Sequence, residues 1–148
     1  MRVRSGTAAE VAALSPLIDG LAPVSEHEVA CRLAHAPLIL VAERSGRAVG
    51  FKAGYDRWLD GSYYSWLGGV LPDHRGAGVA SALIDAQEAW CREHGYGSIR
   101  VKTRNRFVAM RVVLARNGYL VTELDRRGED PDDWRLLHEK KLYRDDER

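Results

Sequence analysis

The 148 residues of this chain fit one domain with one hydrophobic core, since 45% of them are hydrophobic and 29% are charged. The formal net charge of +1 excludes the basic surface of a protein that binds nucleic acid, and no apolar run approaches the roughly 18 residues of a membrane span. We therefore expect a single globular domain over residues 1–148, with neither nucleic acid nor a membrane as partner.

Two capping signatures predict two helices near the N-terminus. In each, a Ser or Thr is followed three residues later by Glu, so that side chains satisfy the free N–H groups of a first helical turn. After a short edge strand, Arg2–Arg4, the pairs are Thr7 with Glu10, opening a helix over Ala8–Asp19, and Ser25 with Glu28, opening a helix through Leu33 or Ala34.

The middle of the chain predicts three strands separated by glycine turns. Leu38–Glu43 is a continuous apolar run, typical of a strand that is covered on both faces. The dipeptides Ser45-Gly46 and Asp60-Gly61 favour turns. The strands that follow these two turns are Ala48–Tyr55 and Tyr63–Leu71.

An arginine and two glycines follow the third of these strands, where the chain passes from a strand into a helix. Glycine lets a ligand approach the backbone without a Cβ in the way, and a helix N-terminus offers unpaired N–H groups. The segment Arg75–Ser81 therefore predicts an anion site that suits a phosphate or a pyrophosphate.

The C-terminal half predicts two helices and three strands. The helix after the glycine loop carries a core-facing apolar stripe, namely Val79, Leu83, Ala86 and Trp90. Asn105 is a suitable N-cap for the last helix, which ends at Asn117-Gly118. The predicted strands are Ser98–Thr103, Tyr119–Asp125 and Trp134–Tyr143.

Two other glycine motifs do not fit this loop. A P-loop needs Gly-Lys-Ser/Thr, whereas Gly78 is followed by Val79-Ala80. The dinucleotide fingerprint needs three glycines near the start of a Rossmann domain. Here the third position is Ser81, and the preceding chain predicts antiparallel hairpins.

The pattern that does fit is Arg/Gln-x-x-Gly-x-Gly/Ala, met by Arg75, Gly78 and Ala80 with Val70 and Pro72 ahead of it. It resembles motif A of the GNAT superfamily of acetyl-CoA-dependent N-acetyltransferases. The predicted order β-α-α-β-β-β-α-β-α-β-β resembles the same superfamily. This resemblance implies an α/β fold with a mixed, mostly antiparallel, splayed sheet and helices on both of its faces.

The resemblance also implies where acetyl-CoA would bind. In the superfamily pantetheine lies between two strands that splay apart, which places Gly68, Gly69 and Val70 along it. Two glycines inside a strand also predict a bulge or a close backbone approach, and a packing bulge without a ligand is the alternative. The residues implied for the pyrophosphate are Arg75, Gly76, Ala77, Gly78, Val79, Ala80 and Ser81.

A further cofactor contact in the superfamily is an asparagine at the start of the helix after the splayed strand. Counting eleven residues back from Gly118 gives Phe107, so the resemblance points to Asn105, two residues earlier. A purely structural N-cap is the alternative for Asn105.

The usual proton donor of the superfamily is missing from its place. Many members carry a tyrosine four residues before the glycine that corresponds to Gly118, and this chain has Leu114 there. By element position, Tyr64 is the candidate to protonate the leaving thiolate, and Asp56 is the candidate to accept a proton from the amine through water. A sheet tyrosine and a turn aspartate are the structural alternatives.

The resemblance implies an enzyme that moves an acetyl group from acetyl-CoA to an amine of a small molecule or a protein. Because the tyrosine is missing, a non-catalytic regulatory domain that binds acetyl-CoA or CoA is the alternative. An unrelated phosphate-binding protein is a third hypothesis.

We expect no metal site. His27, Cys31 and His35 are spaced four apart on one predicted helix, and three ligands strung over two turns converge poorly on one ion. Two cysteines are too few for a disulfide framework and the N-terminus lacks a signal peptide, so a cytoplasmic location is expected. A homodimer is compatible with these features.

Overall fold

The computed structural model describes residues 1–143, and the last five residues of the predicted domain, 144–148, lie outside the described part. The elements follow the predicted order: β1 (Arg2–Ser5), α1 (Ala8–Leu14), α2 (Glu26–Arg32), β2 (Leu38–Arg44), β3 (Arg47–Tyr55), β4 (Ser62–Val70), α3 (Val79–Glu93), β5 (Ser98–Arg104), α4 (Val108–Arg116), β6 (Leu120–Asp125) and β7 (Arg135–Lys141). Within residues 1–143, no helix is both long and apolar enough to cross a membrane.

The strands form one mixed sheet in the order β1-β2-β3-β4-β5-β7-β6. β4 and β5 are parallel, and every other neighbouring pair is antiparallel. A parallel pair needs a long crossover, and α3 supplies it between β4 and β5. The predicted mixed, mostly antiparallel α/β architecture is therefore confirmed.

Helices cover both faces of the sheet, as expected. A Cβ built on Gly69 would meet Ile18, just after α1, at 2.8 Å, whereas a Cβ built on Gly50 would meet Val79 and Leu83 of α3. These two glycines point to opposite faces because they lie one pair apart on adjacent strands. We refer to the first as the α1–α2 face and to the second as the α3 face.

The first helix is shorter than predicted. The Thr7–Glu10 capping box is present, but α1 ends at Leu14 and a single 3₁₀ turn, Ser15–Leu17, replaces its last turns. Pro16 explains the early end, because proline has no N–H for the helical ladder. α2 begins as predicted, with the Ser25 side chain accepting from the Glu28 N–H, and ends slightly early at Arg32.

The prediction that Asn105 caps the last helix is wrong. α4 begins at Val108, and its N-cap residue, Phe107, makes no side-chain capping hydrogen bond. The Asn105 backbone N–H donates to the Trp134 carbonyl, and its side-chain amide donates to the Pro131 carbonyl. Asn105 is therefore committed to the connection between β6 and β7, which the sequence pattern did not reveal.

Candidate active site

A gap opens in the sheet between β4 and β5. The two strands pair only where Ser62–Ser65 faces Ser98–Val101. Beyond that point β4 continues through Trp66–Val70 and β5 through Lys102–Arg104, and these segments do not pair with each other. We call this opening the splay, and it leaves one backbone edge of β4 unpaired.

The hydrogen-bond pattern shows which amides of β4 face the splay. The Leu71 N–H donates to the Val49 carbonyl of the neighbouring segment at 2.8 Å, so the Leu71 N–H points away from the splay. Because the direction alternates along a strand, Gly69 points the same way, toward β3, and the N–H groups of Gly68 and Val70 point into the splay. Gly68 and Val70, rather than Gly69, therefore offer hydrogen-bond donors there.

Packing against neighbouring protein atoms also favours glycine at positions 68 and 69. A Cβ on Gly68 would lie 3.0 Å from the Phe51 carbonyl oxygen, and one on Gly69 would lie 2.8 Å from the Ile18 side chain. The β3–β4 register shifts at Ala53/Gly54, so that Trp66 is the extra residue of a bulge. The bulge thus lies at Trp66 and not at the two glycines, which pair regularly with β3. The expected close backbone approach is present, with neighbouring protein atoms as the approaching groups.

The glycine loop leads directly into α3 beside the splay. Gly76 and Gly78 have φ values of +76° and +79°, and no atom lies within 4 Å of a Cβ built on either of them. Gly78 is the N-cap of the helix and makes no side-chain capping bond, and its carbonyl accepts the first helical hydrogen bond from Ala82. The loop is thus a concave surface with open space where side chains would otherwise stand.

The amides at the start of α3 complete an anion site. The N–H groups of Val79, Ala80 and Ser81 precede the first helical hydrogen bond, so they have no partner within the helix. Together with the positive end of the helix dipole, they suit a phosphate or pyrophosphate. The loop from Arg75 to Gly78 is exposed, whereas the Val79 side chain is buried, so Val79 offers only its backbone.

Arg75 is tied to the segment after α1. Its guanidinium lies 2.6 Å from the Asp19 carboxylate, and this hydrogen bond holds the pKa of Asp19 below its usual value. Both side chains are largely exposed, so the pair contributes little to stability. The Arg75 side chain remains at the loop surface beside Gly76.

Tyr64 lies on the α1–α2 face near the closed end of the splay. Only 5% of it is exposed, and it packs against the rings of Tyr55 and Trp58. Burial raises the pKa of its hydroxyl, while the nearby Arg57 and Arg32 act in the opposite direction. The phenol is therefore protonated at neutral pH, as a proton donor must be.

Asp56 is occupied by the turn after β3. One carboxylate oxygen accepts the Leu59 N–H at 3.0 Å, and the other accepts the Tyr96 hydroxyl at 3.0 Å. The structure does not bring Asp56 and Tyr64 into a hydrogen bond with each other. This arrangement favours the structural alternative for Asp56.

Leu114, in the place of the superfamily's usual tyrosine, is completely buried. Tyr119 is the nearest tyrosine along the chain, and its hydroxyl donates to the buried Glu88 carboxylate at 3.1 Å. That hydrogen bond holds Tyr119 against α3. Neither residue offers a proton to the splay.

Sequence reasoning missed a buried polar group at the closed end of the splay. Ser65, in the last residue pair that joins β4 to β5, is buried on the α3 face, as is Gln87 of α3. The Ser65 hydroxyl and both polar atoms of the Gln87 amide have no hydrogen-bond partner among residues 1–143. Buried polar groups are normally partnered, so these three atoms are exceptions among the described residues. The signal available in the sequence was Gln87, a polar residue on the core-facing side of α3.

Comparisons with known proteins identify the family of this chain. Residues 14–119 match the family model described as "Acetyltransferase (GNAT) family". The chain is 38% identical over 99 residues to Acetyltransferase SG1711 of Sodalis glossinidius, covering 64% of this chain and 68% of the relative. Its alignment with Acetyltransferase ECA0875 of Pectobacterium atrosepticum, 40% identical over 81 residues, spans 53% of this chain and 55% of that relative.

Solved structures show the same fold at low sequence identity. The ribosomal-protein-S18-alanine N-acetyltransferase from Escherichia coli superposes with a TM-score of 0.83 at 13% identity, covering 97% of this chain and 94% of that one. The acetyltransferase yncA from Salmonella typhimurium, solved with its cofactor acetyl-CoA, gives 0.75 at 18% identity, covering 96% and 94%. With the family model matching well over half of the residues, this chain belongs to the GNAT family of acetyltransferases.

Proposed function

We propose that this chain is a single-domain N-acetyltransferase that moves an acetyl group from acetyl-CoA to an amine of a small molecule or a protein. The observation that carries the proposal is the unpaired edge of β4 at the splay, which runs directly into an open glycine loop with unpaired helix amides. Acetyl-CoA has an extended arm with amide groups and a pyrophosphate at one end of it. The arm suits the unpaired strand edge, and the pyrophosphate suits the glycine loop.

Two sets of residues would hold the acetyl donor, one along its pantetheine arm and one at its pyrophosphate. The amides of Gly68 and Val70 face the splay and suit the pantetheine arm, with Gly69 keeping the strand close to β3. The remaining residues proposed for the pyrophosphate are Arg75, Gly76, Ala77, Gly78, Val79, Ala80 and Ser81. Asn105 follows β5 at the same opening. One N–H of its side-chain amide is bonded to the Pro131 carbonyl, which leaves the second N–H and the side-chain oxygen available.

The transfer forms a C–N bond and breaks the C–S bond of the thioester, releasing a free thiol. A carbonyl oxygen in the splay would accept a hydrogen bond from the inward-facing N–H of Val70, which stabilises developing negative charge. Tyr64 is the proposed proton donor to the leaving sulfur. With Asp56 held in its turn, we assign no side chain as base, and positioning carries more of the catalysis.

Structural relatives support both classes of acceptor. One neighbour is named for the alanine of ribosomal protein S18, and another, a nourseothricin acetyltransferase, is named for a small molecule. The expected cytoplasmic location and homodimer stay predictions.

The experiment measures thiol release from acetyl-CoA against a panel of amines, together with melting in the presence of CoA or ATP. At one hundred times the dissociation constant, CoA should stabilise the fold by about 2.7 kcal/mol, and ATP should not. Stabilisation by CoA without thiol release for any amine supports the non-catalytic alternative. No stabilisation at millimolar CoA contradicts both readings.

A further inference from the structure

Three aromatic side chains form a floor on the α1–α2 face at the splay. They are Trp58, Tyr64 and Trp66, which we call the aromatic floor. The rings of Trp58 and Tyr64 meet edge to face with centres 5.2 Å apart. Trp66 is the bulged residue of β4, at the point where pairing with β5 stops.

Three cationic side chains that form no salt bridge within residues 1–143 lie around this floor, and we call them the cationic rim. A fourth, Arg100, lies 5.1 Å from the ring centre of Trp58 but is paired with Asp60 and Glu139. Arg32 of α2 lies over Trp66 with its Cζ 5.2 Å from the ring centre. Arg57 lies 5.1 Å from the ring centre of Trp58 and 5.0 Å from that of Tyr64. Lys102 stands on β5, on the opposite side of the splay, two residues after the partner of Tyr64.

The cations of the rim are not held in ion pairs within the described part of the chain. Among residues 1–143, neither arginine of the rim nor Lys102 forms a salt bridge. Neighbouring acids are already engaged: Asp60 and Glu139 pair with Arg100, and Asp125 pairs with Arg127. Positive charge is therefore concentrated at this opening, and the nearby Glu123, Asp125 and Glu28 offset only part of it.

The concentrated positive charge affects the pKa of Lys102. Burial lowers the pKa of its ammonium, and the positive charges of Arg57 and Arg127 lower it further, against the opposing influence of Asp125 and Glu123. Cations held close to one another without a counter-charge favour an anion between them.

Space for a ligand adjoins the rim. A groove of about 370 Å³ is lined by Glu28, Cys31, Arg32 and Trp66. It opens on the same face as the aromatic floor, beside the unpaired part of β4. Glu28 is the one acidic side chain in this lining, and it is matched by Arg32.

We propose that the acceptor is an amine that also carries a carboxylate, and that the cationic rim binds this carboxylate; the inference rests on the acetyl transfer proposed above. Guanidinium groups bind carboxylates through paired, charge-assisted hydrogen bonds, and the aromatic floor suits the apolar part of such a molecule. The same cations disfavour a protonated ammonium, so they would also hold the bound amine in its neutral, nucleophilic form. A separate general base then becomes less necessary.

The test compares acceptors with and without the carboxylate. Each kcat/KM is expressed per neutral amine, because amidation of a free amino acid also lowers the pKa of its amino group. Free amino acids are paired with their amides, and short amidated peptides with glutamate at the second position are paired with the glutamine versions. We expect the acidic member of at least one pair to have the higher kcat/KM, by roughly tenfold or more, as loss of a charge-assisted bond implies. The pair that shows the difference tells whether the carboxylate belongs to a free amino acid or to a peptide.

Charge-removing variants connect the preference to the rim. Arg57→Gln and Arg32→Gln should raise KM for the acidic acceptor about tenfold more than they raise KM for its amide, and they should leave the CoA-induced melting shift nearly unchanged. Arg2→Gln is the matched control, because Arg2 is an exposed arginine on the edge strand β1, three strands from β4. Equal use of acid and amide in every pair, or equal loss for both in the variants, would overturn the proposal.

If no amine releases thiol, the proposed transfer fails but the rim can still be tested. Calorimetric titration of the same carboxylates into the CoA complex should show binding that Arg57→Gln removes. Absence of such binding overturns the proposal independently of catalysis.

Discussion

Tyr64 lies beneath the guanidinium of Arg57, whose Cζ is 5.0 Å from the centre of the tyrosine ring. Burial raises the pKa of the hydroxyl, with Arg57 partly opposing it, so the proton is retained at neutral pH. The adjacent Tyr63 is different, since it points to the α3 face and its hydroxyl donates to the Ala36 carbonyl at 2.7 Å. Two neighbouring tyrosines thus have hydroxyls in unlike surroundings.

Tyr64→Phe should lower kcat about 10²-fold, the usual effect of losing a general acid, with little change in CoA affinity. Tyr63→Phe is the matched control: it also removes one hydroxyl, and its effect should appear in stability rather than in kcat, because it breaks a structural hydrogen bond. Steady-state kinetics and thermal melting of both variants decide the matter. A fall in kcat below about threefold for Tyr64→Phe would favour protonation of the thiolate through water or by the attacking amine.

The glycine loop can be tested with a second matched pair. Gly78 and Gly95 stand at opposite ends of α3, with φ of +79° and +81°, and neither has an atom within 4 Å of a built Cβ. Asparagine tolerates this backbone conformation better than most residues, so both Asn variants should fold with similar stability. Gly78→Asn should weaken CoA binding at least tenfold because its side chain enters the phosphate space, while Gly95→Asn should bind normally. Isothermal titration with CoA measures both, and equal affinities would show that the loop has been misassigned.

Local signals predicted most of the fold correctly. The Thr7–Glu10 capping box and the Gly78 helix start depend on a few neighbouring residues, and both are present. The prediction that Asn105 caps the last helix was wrong because its side chain bonds to Pro131, 26 residues away, and no local pattern encodes that contact. The apolar periodicity continues through Ile18 and predicts a longer α1, whereas Pro16 ends the helix at Leu14.

The candidate site was only partly predictable for the same reason. A glycine-rich junction can be recognised from the sequence, whereas the direction of the Val70 amide depends on the register between β4 and β3. The cationic rim joins residues of α2, the turn after β3, and β5, so it exists only after the sheet has formed. The proposed acceptor site is formed by side chains from distant segments. Their spacing in the sequence does not predict that they lie close together in the fold.

Gly69 should resist substitution even where no ligand is involved. A Cβ there would lie 2.8 Å from the buried Ile18 side chain, so Gly69→Ala should destabilise the fold by roughly 1–3 kcal/mol through overpacking. In an Ile18→Ala background the same substitution should cost less, since the space is vacated. Chemical denaturation of the two single variants and the double variant gives the coupling energy, and simple additivity would contradict the contact.

Lys52 gives the fold a pH dependence that can be measured directly. It is 7% exposed, on β3 beside Gly68, and burial lowers the pKa of its ammonium to about 8, while Glu88 acts in the opposite direction. An unfolded lysine has a pKa of about 10.4, so between these values the unfolded chain binds more protons and stability from this group rises with pH. Below about pH 8 the native state bears the full cost of the buried charge.

Lys52→Met, which keeps the length and the apolar stem, should therefore be more stable than the wild type at pH 7, by more than about 1 kcal/mol. The advantage should shrink as the pH rises from about 8 towards about 10.4, because the wild-type amine is then neutral in both states. Lys141→Met, at an exposed position at the end of β7, is the control and should shift stability little across this range. Urea denaturation at several pH values measures the difference in the free energy of unfolding. A difference that stays constant with pH, or a wild type more stable at pH 7, would show that the Lys52 ammonium is adequately compensated in the native state.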